Sequence, residues 1–286
     1  MPIPSVTGLD HVVVVARDLD HAEAQWRRLG FTISPRGVHS AHMGTANHTI
    51  MLGEDYLELM GVLTATERNA PMREMLARTE GIDRAAFTTL DAQLGVDALK
   101  ARGLTDSIGP IGFSRPVKLA DGRMTEAKFD TFQWPLSERP GGLRIFACQH
   151  HSRDAVWLPE LTTHANGALR IRHIEMLSTD PKGSAEHMSR LIEQPVARHA
   201  DGAYVVVSGG TRGAFHFVDQ AMFVARHRGV PLDGLSTAGG AALSLGCRSL
   251  DETSAALDAL GVGPTASSVS VAPANANGVV VEFVVD

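Results

Sequence analysis

No stretch of this sequence approaches the ~18 unbroken apolar residues that a membrane-spanning helix needs, because charged residues or glycine interrupt every hydrophobic run. The opening segment, MPIPSVTGLDH, has neither a basic head nor an apolar core, so no secretory signal is expected and the cytoplasm is the expected location. Positive charge is scarce as well. Lys plus Arg number 26 against 32 Asp plus Glu, a net charge of -6, and no basic block is available to follow phosphates, which argues against a nucleic-acid partner. Only two cysteines occur, Cys148 and Cys247, in the unrelated contexts FACQH and LGCRS. They suggest neither a disulfide framework nor a thiolate metal knot, and buried inert thiols are the expectation. There is no glycine-rich phosphate loop opening a helix, no Walker loop and no G-x-S-x-G elbow, so nucleotide-binding and serine-hydrolase readings lack support. Aromatics are sparse at 5%, whereas glycine is plentiful at 28 residues, a balance that suits short strands and tight turns.

What the chain does have is repetition. Its 286 residues allow one large or two medium domains, and four segments carry the same order of elements. The first runs from a valine-rich strand, LDHVVVVARDLD, into a helix in which Ala22, Trp26 and Leu29 recur at helical spacing and Gly30 supplies a left-handed stop. Strands near FTISP, ANHTIML and YLELMGV complete the unit. Comparable β-α-β-β-β patterns follow over residues 82–150, 169–220 and 240–286. Aligned on Asp18, Asp91, Asp180 and Asp251, the four units place His11, Arg84, His173 and Ser244 at one equivalent position. The longest connector carries Trp157, Pro159 and Gly167. It divides the chain into an expected N-terminal domain, 1–165, and a C-terminal domain, 166–286, with two shorter modules.

Three stretches make this sequence resemble the vicinal oxygen chelate superfamily, and its glyoxalase-like branch in particular: GLDHVVVVARDLD with A-x-x-x-W-x-x-LGF, GTANHTIMLGEDYLELMGV, and FACQHHSRDAVWLPELTTHANGA. The resemblance is good over residues 8–175 and rests on the repeat pattern beyond them. It implies an α+β fold of four βαβββ modules that pair into two half-open eight-stranded barrels. It leaves the reaction open, since the superfamily holds isomerases, epimerases, lyases, dioxygenases and metal-free binding proteins.

In such barrels the first and fourth strands of each module face the cavity. The facing sets are then His11, Glu58, Arg84 and about Phe146 in the N-terminal pair, and His173, His216, Ser244 and Glu282 in the C-terminal pair. Glu58 stands between Leu57 and Leu59, and a carboxylate in an apolar strand needs a metal, a cation or a proton. Glu58 and His11 are therefore the expected catalytic pair, with Glu58 as base. Arg84, Asn47, His48 and Ser244 are expected substrate contacts, with Arg84 also able to pair with Glu58. Arg84 and Phe146 cannot bind a divalent cation and stand where a glyoxalase I type site would place further ligands, unless Gln149 or His150 supplements the set. His173, His216 and Glu282 offer two imidazoles and a carboxylate, which suits Fe, Mn, Zn, Ni or Co with positions left open for vicinal substrate oxygens. The primary expectation is thus a divalent-metal enzyme acting on a small organic molecule, a lyase, isomerase or ring-cleaving dioxygenase. The alternative is a metal-free protein that binds and sequesters a small molecule. Four modules in one chain permit a monomer, and strand edges permit a homodimer.

Overall fold

The structure is a computed structural model that describes residue 3, residues 5–119, 121–236 and 239–260, residue 265 and residues 267–286. Strand β1 (Val6–Val15), helix α1 (Leu19–Arg28) and strands β2 (Gly37–Val38), β3 (Thr45–Met51) and β4 (Tyr56–Val62) form the first module. Helix α2 (Ala70–Leu76) leads to the second: β5 (Gly81–Thr89), α3 (Ala92–Ala101), β6 (Ile108–Lys118), β7 (Met124–Gln133) and β8 (Arg144–His150). The third holds β9 (Ala168–Leu177), α4 (Pro181–Ile192), β10 (Val196–Arg198), β11 (Tyr204–Val207) and β12 (Ala214–Val218). After α5 (Gln220–Arg226) come β13 (Ala242–Cys247), α6 (Leu250–Ala256), β14 (Val269–Val271) and β15 (Val280–Val285). The fold is α+β, with one sheet ordered β2-β3-β4-β1-β5-β8-β7-β6 and a second ordered β10-β11-β12-β9-β13-β15-β14. The second sheet has seven strands among the described residues rather than the expected eight, because α6 is followed by two strands.

Each first strand ends at a helix cap, which explains why the units align on that residue. The carboxylates of Asp18, Asp91 and Asp180 accept backbone N–H bonds from His21, Leu94 and Gly183, satisfying donors that open helix ends leave free. In the fourth module the cap is Ser249, whose hydroxyl accepts from the N–H groups of Asp251 and Glu252. The alignment on Asp251 is therefore two residues late. Ala242, not Ser244, is the equivalent of His11, Arg84 and His173, and pairing register agrees: Arg84 lies opposite Val13 as Ala242 lies opposite Glu175.

Alternation along the central strands sets the two faces of each sheet. Leu9, Val12 and Val14 of β1 pack with Trp26 and Leu29, Leu57 and Leu59, and Phe87. The same buried cluster takes in Ile171 and Ile174 of β9, Phe215 of β12, Leu243 of β13 and Phe283 of β15. One core therefore joins the two sheets, and the opposite, polar-bearing faces point away from it. Trp26 tightens the join by donating its indole N–H to Asn277 Oδ1 at 2.9 Å. Gly30 has the left-handed φ of 82° expected at the end of α1, and a side chain there would press on Asn166.

A bulge recurs where the first strands of the modules meet. Leu9 and His11 pair with the successive residues Phe87 and Ala86, so Asp10 is extra; Ile82 and Arg84 pair with Val14 and Val13, so Asp83 is extra. In β9 the extra residue is Arg172. Each bulge turns the following side chain, His11, Arg84 or His173, onto the face away from the core.

Candidate functional site

The N-terminal sheet curls around a cavity of about 410 Å³ whose lining includes His11, Asn47, Glu58, Arg84, Arg115 and Arg144. Glu58 is brought there by alternation in β4: its neighbours Leu57 and Leu59 enter the shared core, whereas Tyr56, Glu58 and Met60 line the cavity. Its Oε1 accepts a hydrogen bond from Asn47 Nδ2 at 2.6 Å, and its Oε2 lies 3.6 Å from His11 Nε2. The His11 ring stacks on Tyr56 at 4.3 Å and meets the edge of Phe146 at 5.4 Å, which fixes its plane.

Behind His11 stands Asp10, a residue that the sequence reading did not single out. Its carboxylate, fully buried, takes hydrogen bonds from His11 Nδ1 at 2.7 Å, His150 Nε2 at 3.0 Å and the Thr88 hydroxyl at 2.8 Å. Burial pushes this carboxyl up, but the bonds from His11 and His150 and the positive character of those rings hold it well below the usual carboxylate range. With Nδ1–H committed to Asp10, the ring nitrogen of His11 presented to Glu58 is Nε2. The only signal for Asp10 in the sequence was an acid before an apolar run.

The second bulge repeats the arrangement with a cation in place of histidine. Asp83 accepts from Arg84 Nε at 2.6 Å and lies 3.7 Å from Arg144 Nη1. Burial raises the Asp83 carboxyl, but Arg84 and Arg144 outweigh it and keep it ionised. Arg144 is pushed down to about 10 by burial and by repulsion from Arg84, with Asp83 opposing, so it remains a cation at neutral pH. Two guanidiniums share one carboxylate, which leaves a surplus positive charge on the cavity wall. The expected pairing of Arg84 with Glu58 is corrected here, since the bulge places Asp83 against Arg84 first.

Other expected contacts separate by the same alternation. Asn47 lines the cavity with Thr45 and Thr49, but His48 points to the other face, where Nδ1 contacts the Ser34 carbonyl at 2.8 Å and Nε2 lies 3.4 Å from Glu23. Neighbouring residues of a strand cannot both face one cavity, so His48 is not a lining residue.

In the C-terminal sheet, His173, His216, Ser244 and Glu282 occupy the polar-bearing face, between core residues such as Ile174, Phe215, Leu243 and Phe283. They are spread across four strands. His216 is on β12, His173 on the neighbouring β9, and Glu282 on β15 beyond β13, with Ser244 in register with both His173 and Glu282. The rings of His173 and His216 stack at 3.9 Å with 4° between planes. A metal ion lies near the plane of each imidazole that binds it, and two parallel stacked planes share no such point. His173 turns instead to Glu175, which also takes ion pairs from Arg226 and His227. Burial raises Glu175, but the bonds from His173 and His227 and the charge of Arg226 hold it well below its ordinary range.

Burial, then the positive character of His173 and Arg226, push His216 down to about 3. The folded protein therefore resists a proton that the unfolded chain accepts near pH 6.5. Stability from this ring is full above that pH and is lost as the pH falls towards 3. His216→Gln is expected to gain on the order of 1 kcal/mol relative to the parent between pH 8 and pH 5, read as the change in urea midpoint at the two pH values.

Among the described residues, one group of three or more His, Cys, Asp or Glu brings its ligand atoms within 4.8 Å of one another: Asp10, Cys148 and His150. Both cysteines are free and buried, as expected.

A family model described as a glyoxalase-like domain matches residues 9–192. No curated protein gives a significant match. The structure is similar to that of a hypothetical protein from Staphylococcus aureus, with a TM-score of 0.69 at 13% identity over 96% of this chain and 98% of that one. It is also similar to a triple mutant of 4-hydroxymandelate synthase from Streptomyces coelicolor, with a TM-score of 0.54 at 15% identity, covering 96% of this chain and 78% of that chain. Methylmalonyl-CoA epimerase from Mycobacterium tuberculosis aligns over 53% of this chain and 93% of its own, with 19% identity and a TM-score of 0.39.

Proposed function

This chain belongs to the glyoxalase-like domain family of the vicinal oxygen chelate superfamily, and on that premise we propose that its N-terminal half-barrel is the active site of an enzyme that moves a proton on a small organic acid bearing oxygens on adjacent carbons. The observation that carries this reading is the polarity of the cavity. A carboxylate, Glu58, faces a wall on which Arg84 and Arg144 exceed the charge of Asp83.

The substrate carboxylate would take the Arg84 and Arg144 donors, because charge-assisted bonds to guanidinium are strong and orienting. That orientation presents the carbon next to it to Glu58. With Oε1 held by Asn47, Oε2 is the oxygen free to accept a carbon-bound proton. His11 Nε2 is near enough to take the proton on or to return it to a neighbouring oxygen, and Asp10 stabilises the imidazolium formed, as a buried carboxylate does behind a catalytic histidine. Tyr56, Met60 and Phe146 line the same cavity and limit water around the developing negative charge.

His11 and Glu58 supply two metal donors, while Arg84 and Phe146 supply none. The four facing positions therefore do not fit a complete divalent centre.

The test is exchange in deuterated water. Small 2-hydroxy and 2-oxo carboxylates are incubated with the protein and the signal of the adjacent C–H is followed by proton NMR. Wash-out of that proton by the parent protein supports the proposal; tight binding of the acids without wash-out would replace it with the sequestration reading. Arg144→Met is expected to weaken binding of an exchanging acid by about 10-fold or more, the loss of one charge-assisted contact, measured by calorimetry.

A further inference from the structure

We infer that Asp10, Cys148 and His150 form a site for a borderline-soft divalent ion such as Zn(II) or Co(II), on the Asp10 side of His11. The inference goes beyond the proton-transfer reading and does not rest on it.

The three residues come together through strand geometry. Phe146, Cys148 and His150 alternate along β8, with Phe146 and Cys148 lining the cavity. The β1 bulge adds Asp10, which touches His150 at 3.0 Å. The ligand atoms of all three lie within 4.8 Å of one another, and shortening by about 1 Å reaches the spacing that bond lengths of ~2.0 to 2.3 Å impose around one ion. One carboxylate, one thiol and one imidazole match what such ions accept, and three protein ligands leave a fourth position open.

One feature is costly if the set is merely structural: His150, whose side chain is 4% exposed, keeps its Nδ1 without a hydrogen-bond partner. Cys148 is held there as a free, buried thiol. A dication changes the balance. The thiol proton leaves to solvent, the sulfur donates its electron pair to the metal, and the two negative ligands neutralise the ion in its buried surroundings. His150 binds through Nε2 once its remaining proton resides on Nδ1, so the unpartnered nitrogen is where that proton goes. Because Cys148 lines the cavity, an ion has a way in.

Untagged protein is stripped with chelator and titrated with Co(II). The expected result is one equivalent bound, with a thiolate-to-cobalt charge-transfer absorption in the near ultraviolet. Cys148→Ser should remove that absorption with near-ultraviolet circular dichroism unchanged. His150→Gln and Asp10→Asn should each weaken binding at least about 10-fold, and Cys247→Ser should change nothing. Absence of the absorption in the parent, its persistence in Cys148→Ser, or stoichiometric binding lost instead in His216→Gln would overturn the inference. Glu58→Gln separates the two proposals, since it removes the base and leaves all three ligands in place.

Discussion

Glu58→Gln is expected to lower proton wash-out by about 10² to 10⁴-fold, the range that a positioned general base contributes, while substrate acids still bind. Glutamine keeps the volume of the side chain and an oxygen that can accept from Asn47 Nδ2, so the 2.6 Å contact need not be lost and the fold should be retained. What disappears is the second carboxylate oxygen, the one facing His11 and the cavity. A fall in kcat with little change in KM would mark the lost group as a base. An equal loss on replacing Arg144, or wash-out unaffected by Glu58→Gln, would move the chemistry elsewhere.

A comparably large effect is expected from Asp55→Asn, on stability rather than turnover. Asp55 follows the turn before β4 and is 2% exposed, with both carboxylate oxygens 3.2 Å from the backbone N–H of Ile171 in β9. It therefore lies at the seam between the sheets. Burial raises its pKa from 3.8 to about 7, against the Ile171 bond and the charge of Arg212 and with help from Asp10. Between these values the folded protein holds a proton that the unfolded chain has released. The stabilisation is complete below about pH 4 and disappears as the pH rises through about 7. Asparagine imitates the protonated acid at every pH. The substitution should be nearly neutral at pH 4 and stabilising by an amount on the order of 1 kcal/mol per pH unit above it, levelling off near pH 7. Thermal melts at pH 4, 6 and 8 measure this, and parallel curves for parent and variant would show that Asp55 is already charged in the fold.

Only part of the site behind the first expectation was legible in the sequence. Glu58 was, because a carboxylate between two leucines in a strand calls for a metal, a cation or a proton unless that face meets solvent. His11 was legible through its module position, and Asn47 was named as a contact only together with His48, which alternation sends to the other face. Asp10 and Asp83 were not. Simple alternation has no place for an extra residue, and a bulge is a property of two paired strands that neither sequence announces alone. The same omission explains the expected Arg84–Glu58 pair, which loses to an acid one residue away. His48 was misplaced because it was set beside Asn47 without applying the strand's alternation, which sends adjacent residues to opposite faces. The error at Ser244 arose from a capping choice: Asp251 and Ser249 are both good caps, and only the register of β13 against β9 shows which one closes the helix.

Sequence by itself determined the α+β class and the succession of modules, because strand and helix periods and helix caps are local properties of the chain. Tertiary structure decided which polar residues meet. The bulges, the pairing of β1 with β5 and the curl that brings β8 to Asp10 depend on contacts far apart in the chain, and a shift of one residue in any of them turns a side chain to the opposite face.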